Sequence, residues 1–152
     1  MYTDCFPESM TAPKDACGVE FENYVQDTYL KLVRLYVLAE KLQDVPTKNA
    51  IMQKIWSVHV TGDKDGCCYI PLSETVCEAY EGTTEDSLMR LFLMDLWLET
   101  EPEEFEKNVA TFPREFLDKF SVLVFTRLNT TAAPFIQHDG VERYMEQEKK
   151  TA

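Results

Sequence analysis

Four side chains within nineteen residues could together build a soft-metal or redox site: His59, Cys67, Cys68 and Cys77. Structural zinc usually takes its ligands in close pairs, so that one tight turn supplies two of them. Here Cys67 and Cys68 are adjacent, and adjacent side chains tend to diverge. Cys77 follows Val76 on the inner side of an expected helix, where a free thiol behaves as a small apolar group. A zinc- or redox-responsive domain using these four residues is therefore the second reading of the chain. Asp63-Lys-Asp65-Gly66 invites a calcium-loop reading. With Gly66 at the sixth loop position, however, Thr61 falls at the first and Leu72 at the twelfth, where calcium needs Asp and a bidentate Glu. The segment reads as a plain turn.

Nucleophilic chemistry has less support. The only histidines are His59 and His138, and there is no Gly-x-Ser-x-Gly elbow, P-loop or Gly-rich dinucleotide turn. No catalytic residue, metal or cofactor is assigned, and the chain is expected not to be an enzyme. Asp95 is the exception that needs an account. Helical spacing puts its carboxylate beside Leu88 and Leu91, on an apolar side. A buried acid must find a cation or hydrogen-bond donors, or else titrate upward. It is either a catalytic acid or, the favoured reading, a partnered acid that fixes helix packing. Glu99, Glu101, Glu103, Glu104 and Glu106 form an acidic run, of the kind that is usually a solvated face and sometimes recruits a basic partner.

The elements that position these residues follow from periodicity. Phe21, Val25, Thr28, Leu32, Leu35, Tyr36, Ala39 and Leu42 recur at three- and four-residue steps and predict one long helix. Leu30, Val33, Val37 and Leu38 lie outside that stripe, so this helix should be packed on several sides. A second helix begins near Pro46, with Ala50, Ile51, Ile55 and Val58 inward. A third, from about Pro71 to Tyr80, stops near Gly82, read as a C-cap. Thr83 or Thr84 is the expected cap of a fourth, from Glu85 to about Leu98. Thr100-Glu-Pro-Glu103 has capping-box spacing for a fifth. Pro113 opens a sixth, with Phe116, Phe120, Leu123 and Val124 inward. The fold class is thus all-α: about six helices in an irregular array, with residues 1–18 as a flexible lead-in, 19–129 as the helical domain, and 130–152 as a polar tail or frayed helix.

Composition agrees. The 152 residues suffice for one domain, and 5 glycines with 7 prolines favour long helices over a many-turned sheet. A formal charge of −12 opposes binding to nucleic acid or to an anionic membrane surface. The most apolar stretch, residues 88–98, is too short to span a bilayer and is broken by Arg90 and Asp95. Residues 1–12 carry Asp4 and Glu8 and resemble no secretory signal. An intracellular, cytoplasmic or nuclear location is therefore expected, with Cys5, Cys17, Cys67, Cys68 and Cys77 reduced and the Asn129-Thr130-Thr131 sequon unmodified.

Leu35-Tyr-Val-Leu-Ala-Glu-Lys-Leu-Gln-Asp44, followed by Val45-Pro-Thr-Lys-Asn-Ala50, resembles a segment of fungal BTB/POZ domain proteins. The order of Ala79-Tyr80-Glu-Gly-Thr83, Leu88-Met-Arg-Leu-Phe-Leu-Met-Asp-Leu-Trp97 and Phe112-Pro-Arg-Glu-Phe116 resembles the helical extension that follows the core sheet in that family. The resemblance covers about Glu20 to Leu128. It implies a non-catalytic protein–protein interaction module of the adaptor type. The family's front sheet, which supplies its dimer surface and most of its cullin-ligase contact, has no counterpart before Glu20, so cullin contact is not expected to carry over. In a family member the Leu32, Leu35, Tyr36 and Ala39 region would pack partly on that sheet. Those four residues are accordingly the expected surface for a protein partner or for self-association.

Overall fold

The structure, a computed structural model, describes residue 16 and residues 18–130 and 140–147. Within them the chain forms six α-helices and no strand. They are α1 (Gly18–Lys41), α2 (Val45–Val60), α3 (Ser73–Gly82), α4 (Leu88–Leu98), α5 (Pro102–Asn108) and α6 (Arg114–Leu128), with short 3-10 turns at Val109–Thr111 and Val141–Tyr144. No helix among the described residues is long and apolar enough to cross a membrane. The lead-in as far as Asp15, together with Cys17 and His138, lies outside the described residues.

α1 is the hub, as its two-sided apolar pattern predicts. It packs against both α2 and α3, burying Phe21, Val25, Tyr29, Leu32, Val33, Tyr36 and Val37. This corrects the expected association surface. Leu32 and Tyr36 are wholly inaccessible, Ala39 is 3% exposed, and only Leu35 reaches solvent, at 41%. The later helices α2 and α3 cover that face of α1. The outer ridge is instead Leu35 and Leu38 of α1, continued by Leu42 just past its end.

The turn into α2 is defined by two residues. Gln43 takes the left-handed conformation, φ 55°, which lets the Asp44 N–H bond the Ala39 carbonyl. Asp44 then caps α2, its carboxylate accepting from the Thr47 N–H at 3.1 Å and the Thr47 hydroxyl at 2.6 Å.

Gly82 has a different role from the expected cap. It is the last residue of α3, outside the left-handed region. A Cβ there would lie 2.4 and 2.6 Å from the two Val37 methyls. The absent side chain is what lets α3 approach α1. Nor does a threonine side chain cap α4, which starts three residues later than expected, behind Ser87. Thr83 instead accepts a hydrogen bond from Arg90 at 3.0 Å. The capping box at Thr100 does not form either, since its hydroxyl donates back to the Leu96 carbonyl at 2.9 Å.

α4 is buried on nearly every side. Its Arg90, 7% exposed, donates to the Tyr80 carbonyl at 2.8 Å and pairs with Glu115 at 2.6 Å, over the Tyr80 ring at 4.3 Å. One side chain thus ties the end of α3 to the start of α6. An aromatic seam does the same for α5: Trp97 meets Phe112 at 4.8 Å, Phe112 meets Phe116 at 4.6 Å, and Phe105 stacks on Phe120 at 4.5 Å.

Residues 140–147, expected to be part of a polar tail, return to the core as a strap. Tyr144 is 1% exposed and meets Phe92 edge-on at 5.0 Å. Asn49 on α2 holds the following backbone in both directions. Its amide donates to the Glu146 carbonyl at 2.8 Å, and its oxygen accepts from the Glu146 N–H at 2.7 Å. Lys48 pairs with the Glu146 carboxylate.

The α1–α3 contact gives a first test. Gly82→Ala should improve local helix propensity yet destabilise the fold by about 1–3 kcal/mol through overpacking on Val37, read from urea midpoints. A Val37→Ala change in the same chain should recover part of that loss.

Candidate functional site

A cleft of about 1160 Å³ opens where the start of α1, the end of α2, residues 61–72 and the α4–α5 junction converge. Residues 61–72 have no regular structure, and three helix-borne side chains pin them. Gln26 donates to the Ile70 carbonyl at 2.8 Å and accepts from the Leu72 N–H at 3.1 Å. The Tyr29 hydroxyl donates to the Tyr69 carbonyl at 2.9 Å, and the Trp97 indole donates to the Pro71 carbonyl at 3.1 Å. Upstream, Asp63 closes its own turn by accepting from the Cys67 and Asp65 N–H groups, both at 2.9 Å. These bonds, the Cys67 one first, hold its carboxyl below the usual range. Gly66 completes the turn at φ +81°. The wall of the cleft is therefore an irregular segment made firm by the elements around it.

The floor is apolar and aromatic, with Trp56, Tyr69, Ile70, Leu72 and Leu96. The rim is acidic. Glu22, Glu99, Glu101, Glu103 and Glu104 face one cation, Lys107. Glu99 is engaged by Arg127 at 2.6 Å. Glu104 accepts from Lys107 at 2.9 Å, and with Glu103 and Glu22 nearby the ammonium is held above its usual range. Glu22, Glu101 and Glu103 have no ion-pair partner among the described residues. His59, on the cleft wall, is pushed below its ordinary value, chiefly by burial, so it is neutral at pH 7 and adds no positive charge. Four of the five acids of the Glu99–Glu106 run thus belong to the cleft, joined by Glu22 from α1. Glu22 and the aromatic floor escape sequence reasoning because neither has a local signal: they meet only through the fold.

The thiols do not assemble. Cys67 and Cys68 are exposed, while Cys77 on α3 faces the Thr111 carbonyl at 3.3 Å, its thiol raised by burial first and then by Glu81 and Glu74. Among the described residues no group of three or more His, Cys, Asp or Glu side chains is arranged to hold a metal ion.

Asp95 is 2% exposed and partnered. The Tyr144 hydroxyl donates to it at 3.0 Å and Arg143 Nε at 3.2 Å. Burial raises its pKa, and Tyr144 and Arg143 pull it back in part. It therefore anchors the strap to α4. Asp95→Ala leaves both donors without their acceptor and should cost about 3 kcal/mol in chemical denaturation. The pH dependence has a definite sign. Between the unfolded value near 3.8 and the raised folded value, the native state holds a proton that the unfolded chain has released. The contribution of this group to stability therefore grows as pH falls through the folded value. Relative to Asp95→Asn, which does not titrate, the wild type should gain stability between pH 7 and pH 4.5.

Comparison with protein-family models, with curated proteins and with solved structures finds no match to this chain.

Proposed function

We propose that the chain is a non-catalytic protein-interaction module, of the adaptor type that its BTB-like segments imply, and that its cleft receives a lysine- or arginine-bearing segment of a partner protein. The observation that carries this reading is Lys107. The protein's own ammonium pairs with Glu104 at the rim, and the charges of Glu103 and Glu22 favour its protonated form, so the field at the rim suits a cation. Glu101 and Glu103 are exposed and have no ion-pair partner among the described residues, so their charge is available to an incoming one. Beneath them Trp56 and Tyr69 offer ring faces and apolar surface for the alkyl stems of Lys or Arg and for cation–π contact. A cleft of this volume accommodates a few side chains of an extended peptide. The net charge of −12 attracts such a segment from a distance and speeds its encounter.

Titration calorimetry with a short peptide alternating Lys or Arg with apolar residues tests the reading. Binding should weaken by about tenfold in Glu101→Gln/Glu103→Gln/Glu104→Gln and fall steeply between 50 and 300 mM salt. Trp56→Ala should weaken it at every salt concentration. Binding should hold constant between pH 8 and 7, where His59, kept below its ordinary value by burial, stays neutral and adds no cation to the wall. Equal binding of a control peptide with Glu in place of Lys and Arg would reject the cationic partner.

A further inference from the structure

Trp56 belongs to two structures at once. One side of the indole lines the cleft; the ring also lies 6.3 Å from Tyr144 and 6.4 Å from Phe92, centroid to centroid. Tyr144 is the centre of the C-terminal strap, and its ring and hydroxyl are both engaged, the ring with Phe92 at 5.0 Å and the hydroxyl with Asp95 at 3.0 Å. Asp95 directly precedes Leu96, another residue of the cleft floor. The strap thus reaches the cleft from behind by two routes, through the Trp56 ring and through α4.

We propose that the strap, residues 140–147, is a regulatory latch: when docked it holds Trp56 in its position in the cleft, and its release loosens the indole and weakens the cleft for its ligand. Among the described residues the latch has attachments at both ends that can be broken without touching the cleft. At one end are the two Asn49 bonds and the Lys48–Glu146 pair; at the other are Tyr144 and Arg143 on Asp95. The Tyr144 ring itself packs beside Trp56, next to Phe92. Removing that ring uncovers apolar surface on Trp56 and Phe92, so the indole loses the contacts that select its rotamer. Because coupling between two equilibria is reciprocal, occupation of the cleft must tighten the strap by the same factor by which the docked strap tightens the cleft. The effect on affinity rests on the cleft being a peptide site. The effect on the indole does not.

The decisive variant is Asn49→Ala, which sits on α2 away from the cleft and puts a good helix former in place of the residue that holds the strap. Amide exchange at Glu146 measures strap release. The Trp56 indole N–H resonance, assigned by its loss in Trp56→Phe, reports the cleft. In Asn49→Ala the exchange should speed up, the indole resonance should shift or broaden, and affinity for the Lys/Arg peptide should fall by about fivefold. Adding that peptide to the wild type should slow Glu146 exchange. If Asn49→Ala leaves exchange unchanged, Asn49→Ala/Tyr144→Phe loosens both ends and is read in the same way. Faster exchange with an unmoved indole resonance overturns the latch. A shifted indole with no peptide binding by the wild type keeps the link between strap and indole and rejects the peptide reading instead.

Discussion

A helix buried on nearly all sides carries two full charges, and satisfying them organises the rest of the molecule. Arg90 and Asp95 on α4 are 7% and 2% exposed, and neither can stay charged in the interior without partners. They point to different neighbours. Arg90 takes carbonyls from the end of α3 and the carboxylate of Glu115 on α6. Asp95 takes the hydroxyl of Tyr144 and the guanidinium of Arg143 from the strap. Both charges have their partners only when α3, α6 and residues 140–147 are all in place.

From that arrangement the cleft follows. α4 ends at Leu98 with Leu96 and Trp97 buried. Trp97 reaches back to the Pro71 carbonyl and across to Phe112 and Phe105. One indole therefore sets the height of the wall formed by residues 61–72 and the position of α5. The α5 helix buries no residue of its own and is held through partly buried Phe105, so its acidic first turn projects over the floor. The concavity is the space left among elements that are each fixed for other reasons.

Much of this is legible in the sequence, and the gaps have physical causes. The α1 stripe is readable because three- and four-residue periodicity is a local signal, and the extra apolar positions Val33 and Val37 reveal its central place. The partnered role of Asp95 is readable because an acid on an apolar face has few alternatives. Its partners are not, since Tyr144 and Arg143 lie in a segment with no periodicity, where one aromatic residue carries the docking. Gly82 is easily misread because the same residue type serves a left-handed cap and a close helix approach, and only tertiary contact separates the two. Leu32, Tyr36 and Ala39 read as surface only through the resemblance to BTB proteins, whereas periodicity alone makes them core, and α1 buries them where it packs on α2 and α3. In the cleft the acidic run is visible. Glu22 and Trp56 are not, being about eighty and forty-five residues away from it along the chain.

The placement of that acidic run has a structural reason in the start of α5. Glu103 and Glu104 occupy the first turn of α5, where the free N–H groups of the helix end favour negative charge. Pro102 suits the same turn because it lacks an N–H that would go unbonded. Helix initiation accounts for these two acids by itself. It does not account for Glu22, which comes from another helix, nor for Glu101, which sits at the cap position without making a side-chain capping bond. Lys107 turns toward the acids as the i,i+3 partner of Glu104, an ordinary helix-surface pair. The carboxylates beyond what α5 needs are gathered from two elements over one aromatic floor.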